Sequence, residues 1–146
     1  MKKISIVGLG YVGLPLLLQI AKKKKVIGFD VNKKRINQLL NCIDEYNEHS
    51  YKDIKNLKKN LIFTCDKNEI KNSDLFVVTV PTPVDYKNKP DLKFIINATK
   101  TIASLIKKDS IVVYESTVFP GCTEEVCVPI IEKISKLKFN KDFFCG

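Results

Sequence analysis

The apolar residues of this chain form short runs, and between the runs apolar positions recur every three or four residues. The runs lie at residues 3–7, 26–30, 61–64, 75–80, 111–114 and 143–145. Their length and composition are typical of buried strands. The run at 75–80 is apolar nearly throughout, as expected for a strand that is covered on both faces.

The segments between these runs predict helices. In the first, apolar residues stand at positions i, i+3, i+4 and i+7, namely Leu14, Leu17, Leu18 and Ala21. The same spacing predicts a second helix on Ile36, Leu39 and Leu40 and a weaker third helix on Tyr51, Ile54 and Leu57. It also predicts a helix that Asp91 caps, with an apolar face of Leu92, Ile95, Ile96, Ile102, Ala103 and Ile106. A last helix falls between residues 122 and 136, where Pro129 predicts a kink or a late start. Strands that alternate with helices predict an α/β fold with a doubly wound parallel sheet.

Three glycines follow the first predicted strand in the segment G-L-G-Y-V-G. Between a strand and a helix, Gly8, Gly10 and Gly13 suit a tight turn, close approach of a pyrophosphate to the backbone, and close helix–strand packing, respectively. The pyrophosphate would bind the free N–H groups at the positive end of the helix dipole. Asp30 ends the next strand, at the right distance to accept hydrogen bonds from an adenosine ribose. The pattern predicts a Rossmann-type dinucleotide-binding unit.

The residues around Asp30 favour NAD over NADP. Its carboxylate would repel a 2′-phosphate, and Asn32 brings no positive charge. Lys33, Lys34 and Arg35 are the counter-evidence, because a nearby cation accommodates that phosphate. From the residues alone, Arg35 either stacks on adenine or is solvated, and we favour the solvated interpretation.

Two later strand ends carry polar side chains where ligands bind in open α/β sheets. Val80, Pro81 and Thr82 lie in a loop that the prolines make rigid, and the threonine is placed to bond a ribose or the pyrophosphate. The alternative is a plain proline-rich turn. Ser116 and Thr117 follow the next strand, where they either face the ligand or cap the following helix.

Composition limits the other function classes. With 146 residues, 45% of them hydrophobic, the chain is expected to form one domain, residues 1–146.

The net charge of +9 suggests a nucleic-acid-binding protein. However, Arg35 is the only arginine and the lysines are scattered along the chain, so we predict no nucleic-acid partner. The five cysteines form no C-x-x-C pair and His49 is the only histidine, so we predict no disulfide framework and no metal site.

The apolar stretch at residues 4–21 superficially resembles a secretory signal or a membrane anchor. Three glycines, Pro15 and Gln19 interrupt it, and it ends in lysines without a small-residue cleavage site. No other run approaches the roughly 20 apolar residues that span a bilayer. We therefore expect a cytoplasmic protein with reduced thiols and no membrane partner.

Four segments together resemble the nucleotide-sugar dehydrogenase family, the UDP-sugar 6-dehydrogenases. They are G-L-G-Y-V-G-L-P, then G-F-D-V-N-K-K-R-I, then V-P-T-P-V-D with N-K-P-D-L, and V-V-Y-E-S-T-V-F-P-G-C-T-E-E. The resemblance covers essentially all of residues 1–146. The segment P-G-C-T-E-E, with K-F-N-K-D-F-F after it, is most similar to the branch that acts on UDP-N-acetylhexosamines and less similar to the UDP-glucose dehydrogenases.

The resemblance implies NAD as the cofactor and a role for several residues. The backbone of Tyr11 and Val12 would contact the pyrophosphate. Asp30 would bind the adenosine ribose, and Arg35 would flank the adenine.

On the nicotinamide side, the resemblance implies that Thr82 and Thr117 lie near the cofactor. In the family, the threonine that matches Thr117 also helps to position the water used in catalysis, which makes it the one catalytic candidate in this chain.

The family oxidises the C6 alcohol of a UDP-sugar to a carboxylate with two NAD, through a thiohemiacetal and a thioester on a cysteine. That cysteine and the catalytic lysine lie downstream of the position equivalent to Gly146, so no cysteine here is expected to be the nucleophile. We therefore interpret the chain as the N-terminal NAD-binding domain of a longer enzyme, inactive by itself, whose sugar-binding domains lie outside it. The complete enzyme is expected to bind a UDP-sugar and to form a homodimer or a higher oligomer, and we expect exposed apolar surface around Phe143 and Phe144.

Two alternatives remain at this point. One is a non-catalytic module that senses NAD, and the other is a hydroxyacid or hydroxyacyl dehydrogenase that shares only the glycine motif. The V-P-T-P and E-S-T-V-F-P-G segments favour the sugar dehydrogenase over both.

Overall fold

A computed structural model describes residues 2–84 and 90–146 of the chain. Within them, six parallel strands form one sheet: β1 Ile4–Val7, β2 Val26–Phe29, β3 Leu61–Thr64, β4 Leu75–Val78, β5 Ser110–Tyr114 and β6 Phe143–Cys145. Each predicted strand is present, with bounds that differ by at most two residues. The strand prediction is therefore confirmed.

The described part of the chain has five α-helices between its strands: α1 Gly13–Ala21, α2 Lys33–Leu40, α3 Tyr51–Leu57, α4 Lys93–Ala103 and α5 Val128–Ser135. A π-helical turn, Thr123–Cys127, leads directly into α5, and Pro129 lies in the first turn of α5. The α-helical part of the segment therefore starts late, while the π-helical turn before it continues into it through the hydrogen bond from the N–H of Val128 to the carbonyl of Thr123. Asp91 accepts a hydrogen bond from the N–H of Lys93 at 3.0 Å, but the residue at the N-cap is Leu92. No helix in the described part of the chain is long and apolar enough to cross a membrane.

The strand order is β3-β2-β1-β4-β5-β6. The chain first builds outward from β1 to β3 and then returns to the other side of β1 for β4, β5 and β6. This is the doubly wound Rossmann arrangement, so the predicted fold class is confirmed. The order reverses between β1 and β4, and connections leaving the carboxyl ends of these two strands diverge to open a crevice.

Each face of the sheet carries its own apolar layer, because successive residues of a strand point to opposite faces. On one face, Ile6 and Val77 pack with the apolar stripe of α1. On the other, Phe76 and Phe143 pack with residues of α4 and α5. Phe143 is fully buried in this layer, so the expectation that it would be exposed is wrong, whereas Phe144 is 42% exposed.

We expect Asp74 to make stability depend on acid pH. Its Oδ2 accepts the N–H of Lys3, and its Oδ1 lies 2.6 Å from Nζ of Lys107. The hydrogen bond from Lys107 and then that from Lys3 hold the pKa of the Asp74 carboxyl below its ordinary value of 3.8. A depressed pKa in the folded state stabilises the fold above the unfolded pKa, and this contribution disappears as pH falls through the folded pKa.

The test is a series of urea unfolding midpoints from neutral pH to below 3.8. Asp74→Asn should lower the midpoint at neutral pH, and its deficit should shrink as the wild-type carboxyl becomes protonated. The matched control is Asp109→Asn, which makes the same charge change at an exposed site. A deficit that is equal at every pH would contradict the assignment.

Candidate functional site

A cleft of about 610 Å³ lies at the carboxyl ends of β1, β2, β4 and β5. This volume is within the usual range for small-molecule sites, about 300–1,000 Å³. The predicted cofactor residues meet there: Gly8, Gly10, Tyr11, Val12, Asp30, Arg35, Val80, Pro81, Thr82, Ser116 and Thr117 all line it. Gly13 is buried and does not line the cleft.

The three glycines of the motif have different surroundings. Gly8 has φ +100°, and a Cβ on it would lie 3.1 Å from the carbonyl carbon and oxygen of Thr79. A Cβ on Gly13 would overlap the carbonyl oxygen of Gly8 and lie 2.5 Å from Oγ1 of Thr79. A Cβ on Gly10 would meet no protein atom within 4 Å. Gly8 and Gly13 thus allow close packing, while Gly10 keeps the cleft open.

Thr79 holds the glycine loop from the neighbouring strand, and our sequence reasoning did not select it. Its hydroxyl donates a 2.7 Å hydrogen bond to the carbonyl of Gly8, and the residue is 6% exposed. Its backbone N–H donates to Val7, the last residue of β1. The available signal was a single hydroxyl within the otherwise apolar run at 75–80, because a buried hydroxyl requires a partner.

The start of α1 carries unpaired backbone donors. Within residues 2–84 and 90–146, the N–H groups of Gly10, Tyr11 and Val12, which line the cleft, make no hydrogen bond, nor does that of the buried Gly13. No acidic side chain lies in the first turn of α1, and Val12 provides no side-chain cap. Unpaired N–H groups at the positive end of a helix dipole bind phosphates. The local structure therefore suits a pyrophosphate.

Asp30 joins the end of β2 to the glycine loop. Its Oδ2 accepts the N–H of Leu9 at 2.8 Å, and its Oδ1 accepts the N–H of Asn32 at 2.9 Å. A carboxylate has about four lone-pair positions, so capacity remains for ribose hydroxyls. Asp30 therefore shapes the loop and can also bind a ribose.

Arg35 is buried, so the interpretation of this residue as solvated is wrong. It is 3% exposed, and its Nε donates a 2.9 Å hydrogen bond to the carbonyl of Leu9. Its Nη2 lies 2.9 Å from Oδ1 of Asp44, and its guanidinium carbon lies 4.7 Å from the centre of the Tyr46 ring. Packing of α2 against the glycine loop buries this position, and charge alone could not reveal that.

Glu45 and Tyr46 of the segment 41–50 line the cleft together with Arg35, and the sequence showed no role for this segment. The Asp44 carboxylate accepts the backbone N–H groups of Tyr46, Glu48 and His49 at 3.2–3.4 Å, which folds the segment around it. The Tyr46 ring then stacks against Tyr11 at 4.1 Å between centroids. The sequence of this segment is polar and shows no periodicity, so its only indication of a role was an aspartate, Asp44, followed by an aromatic residue, Tyr46.

The loops after β4 and β5 are joined at the other end of the cleft. The hydroxyl of Ser116 donates a 2.7 Å hydrogen bond to the carbonyl of Val80. Neither Ser116 nor Thr117 caps a helix, because the next helical turn begins at Thr123 after Cys122. The capping alternative is therefore wrong.

Helix α4 adds residues to the cleft that lie outside its predicted apolar face. Phe94, Asn97 and Thr101 line it. Apolar periodicity identifies the side of a helix that packs on the sheet, but it carries no information on polar residues at the edge of that side.

The cysteines do not form a nucleophilic or metal site in the described residues. Cys122 is fully buried, and burial raises the pKa of its thiol to about 11. Burial also raises the pKa of the Cys145 thiol to about 12. Cys65 is exposed but does not line the cleft. No group of three His, Cys, Asp or Glu residues suitable for a metal occurs within residues 2–84 and 90–146.

The doubly wound sheet, the glycine loop at the start of α1 and the acid at the end of β2 define a dinucleotide-binding domain. Residues 2–145 match the model of the UDP-glucose/GDP-mannose dehydrogenase family, NAD binding domain. The chain belongs to this family, and its cofactor is NAD.

Two curated relatives cover 99% of this chain. Protein CapL of Staphylococcus aureus is 48% identical over 145 residues. The UDP-N-acetyl-D-glucosamine 6-dehydrogenase of Pseudomonas aeruginosa is 47% identical over 144 residues. The chain spans about a third of their length, 34% in each case. Among solved structures, the UDP-D-ManNAc dehydrogenase of Pyrococcus horikoshii superimposes with a TM-score of 0.91 at 27% identity, covering 98% of this chain and 35% of that one.

Adding a methyl group should separate the packing glycine from the cleft glycine. Gly13→Ala should lower the free energy of unfolding by about 1–3 kcal/mol, because the new Cβ would overlap the Gly8 carbonyl. Gly10→Ala should change it by less than about 0.5 kcal/mol, because its Cβ meets no atom. Urea denaturation measures both. Equal losses in the two variants would refute the packing assignment.

Proposed function

We propose that this chain is the NAD-binding part of a UDP-sugar 6-dehydrogenase that oxidises a UDP-N-acetylhexosamine at C6. The observation that supports the proposal is the cleft, in which unpaired N–H groups at the start of α1, Asp30 and the two later strand ends lie together at one edge of the sheet. The 47% identity to a UDP-N-acetyl-D-glucosamine 6-dehydrogenase supports the substrate class. The uronic acid product would serve as a donor for surface polysaccharide.

In this proposal the residues at the switch point between β1 and β4 would hold the cofactor. The N–H groups of Tyr11 and Val12 would donate to its pyrophosphate. Asp30 would bind the adenosine ribose, and Arg35 would flank the adenine. Thr82 and Thr117, at the ends of β4 and β5, would hold the nicotinamide half.

Bound NAD would accept a hydride from the sugar in each of two oxidation steps. Conversion of an alcohol to a carboxylate also consumes one water, which needs a group to orient it. Thr117 is exposed at the edge of the cleft, where its hydroxyl can hold such a water. We propose this role for Thr117 and assign the covalent chemistry to residues beyond this chain.

Two other functions are consistent with the same domain. A UDP-glucose 6-dehydrogenase would use the cofactor cleft in the same way, and a panel of UDP-sugars offered to the complete protein separates the two. A non-catalytic NAD sensor would bind NAD without any turnover, and a gene that ends at Gly146 would favour it. For the enzyme we propose a homo-oligomer in the cytoplasm, where free thiols stay reduced.

NAD should bind the cleft and stabilise the fold. At about 100 times its dissociation constant, NAD should add about 2.7 kcal/mol to the free energy of unfolding. Asp30→Asn should weaken NAD binding about tenfold or more, because an amide cannot accept hydrogen bonds from both ribose hydroxyls while it also serves Leu9. Calorimetric titration and thermal unfolding measure these effects. Asp109→Asn is the matched control, and equal affinity in both variants would contradict the role of Asp30.

The chain alone should not oxidise a UDP-sugar. The thiols of Cys122 and Cys145 are protonated at neutral pH because burial raises their pKa to about 11 and about 12. A protonated thiol is a poor nucleophile. The measurement is NADH absorbance after mixing the chain with NAD and several UDP-sugars. Sustained NADH formation above a control without protein would show that one of the five cysteines had been wrongly dismissed.

A further inference from the structure

The only arginine of the chain lies at the adenosine end of the cleft and is held there by a carboxylate. Nη2 of Arg35 is 2.9 Å from Oδ1 of Asp44, and the two side chains are 3% and 1% exposed. Within the described ranges, no acceptor lies in hydrogen-bonding geometry to Nη1 or Nη2. The pairing is therefore electrostatic, and the buried guanidinium keeps N–H groups that have no hydrogen-bond acceptor.

The guanidinium lies next to the group that would bind the adenosine ribose. Asp30 accepts the N–H of Leu9, and Nε of Arg35 donates to the carbonyl of the same residue, at 2.8 and 2.9 Å. The carboxylate and the cation thus flank a single residue. A 2′-phosphate on a ribose bound at Asp30 would come close to Arg35.

The other charges at this end of the cleft are negative. Asp30 and Glu45 line it, whereas Lys33 and Lys34 are exposed on α2 and do not. Arg35 is therefore the only described cation that lines the cleft. Its availability decides whether the cleft tolerates a 2′-phosphate.

We propose that Asp44 determines specificity for NAD over NADP. Its carboxylate neutralises Arg35, so the charge that could stabilise a 2′-phosphate is already compensated. It also accepts three backbone N–H groups of residues 46–49, and this turn places the Tyr46 ring over the guanidinium. Asp44 thus both neutralises and covers the arginine. The inference rests on the proposed binding of NAD in this cleft.

The experiment measures the dissociation constants of NAD and NADP for this chain by calorimetric titration. Asp44→Asn should lower the ratio of the NADP constant to the NAD constant about tenfold or more, because the unpaired arginine gains the phosphate as its partner. Asp109→Asn, which makes the same charge change at an exposed residue with φ 65°, should leave the ratio unchanged. Asparagine tolerates that backbone conformation.

The readout is a ratio, so a general loss of binding in the variant would not move it, because such a loss weakens both cofactors together. An unchanged ratio in a folded Asp44→Asn variant overturns the inference. Failure of the wild-type chain to bind NAD overturns the proposed function itself, and the inference with it.

A double variant decides the question if Asp44→Asn alone does not fold. Removing one member of a buried ion pair is costly, whereas replacing both is often tolerated. Arg35→Gln with Asp44→Asn should keep the ratio within about threefold of the wild type, because the pair contributes no net charge. A shift of about tenfold against NADP would show that Arg35 already serves the phosphate in the wild type, and would overturn the inference.

Discussion

The cleft depends on the close contact between the glycine loop and the end of β4. The Thr79 hydroxyl donates to the carbonyl of Gly8, and Gly13 packs so tightly on that carbonyl that a methyl group would overlap it. This contact fixes where α1 begins, and therefore where its unpaired N–H groups point. Because β1 and β4 are the strands between which the order reverses, the same contact also sets the separation of the two halves of the crevice.

Residues predicted as ligands also hold the loop in place. Leu9 receives a hydrogen bond at its carbonyl from Arg35 and donates its N–H to Asp30, so both charged side chains orient the peptides on either side of Leu9. A variant at either residue consequently changes the shape of the loop as well as its affinity for a ligand. Preorganisation of this kind reduces the ordering cost of binding, since the donors and acceptors are positioned before the ligand arrives.

The sequence predicted what periodicity and glycine spacing encode. The strands and the doubly wound sheet came from apolar runs, and the glycine loop with Asp30 came from the motif of Gly8, Gly10 and Gly13, whereas Thr79, Tyr46 and the α4 residues of the cleft were missed. Tertiary contacts decided the rest. Arg35 is buried by its contacts with Leu9, which is distant in the sequence, and with Asp44, which lies in an irregular segment. Phe143 is buried because its side of β6 faces α4 and α5. Neither fact has a local signature, so residue type alone gave the wrong expectation for both.

The net charge of +9 does not describe the cleft. Within residues 2–84 and 90–146 no lysine lines it, and its charged side chains are Asp30, Glu45, Glu115 and the paired Arg35. The groups that the cleft offers to an anion are therefore chiefly the unpaired backbone N–H groups at the positive end of the α1 dipole, which act at short range. Apart from the half-buried Lys3, the described lysines are exposed, and salt screens their charge beyond about 8–10 Å. Fixed peptide dipoles favour a ligand group that can approach the backbone closely. Gly10 has no side chain, so it leaves room for that approach.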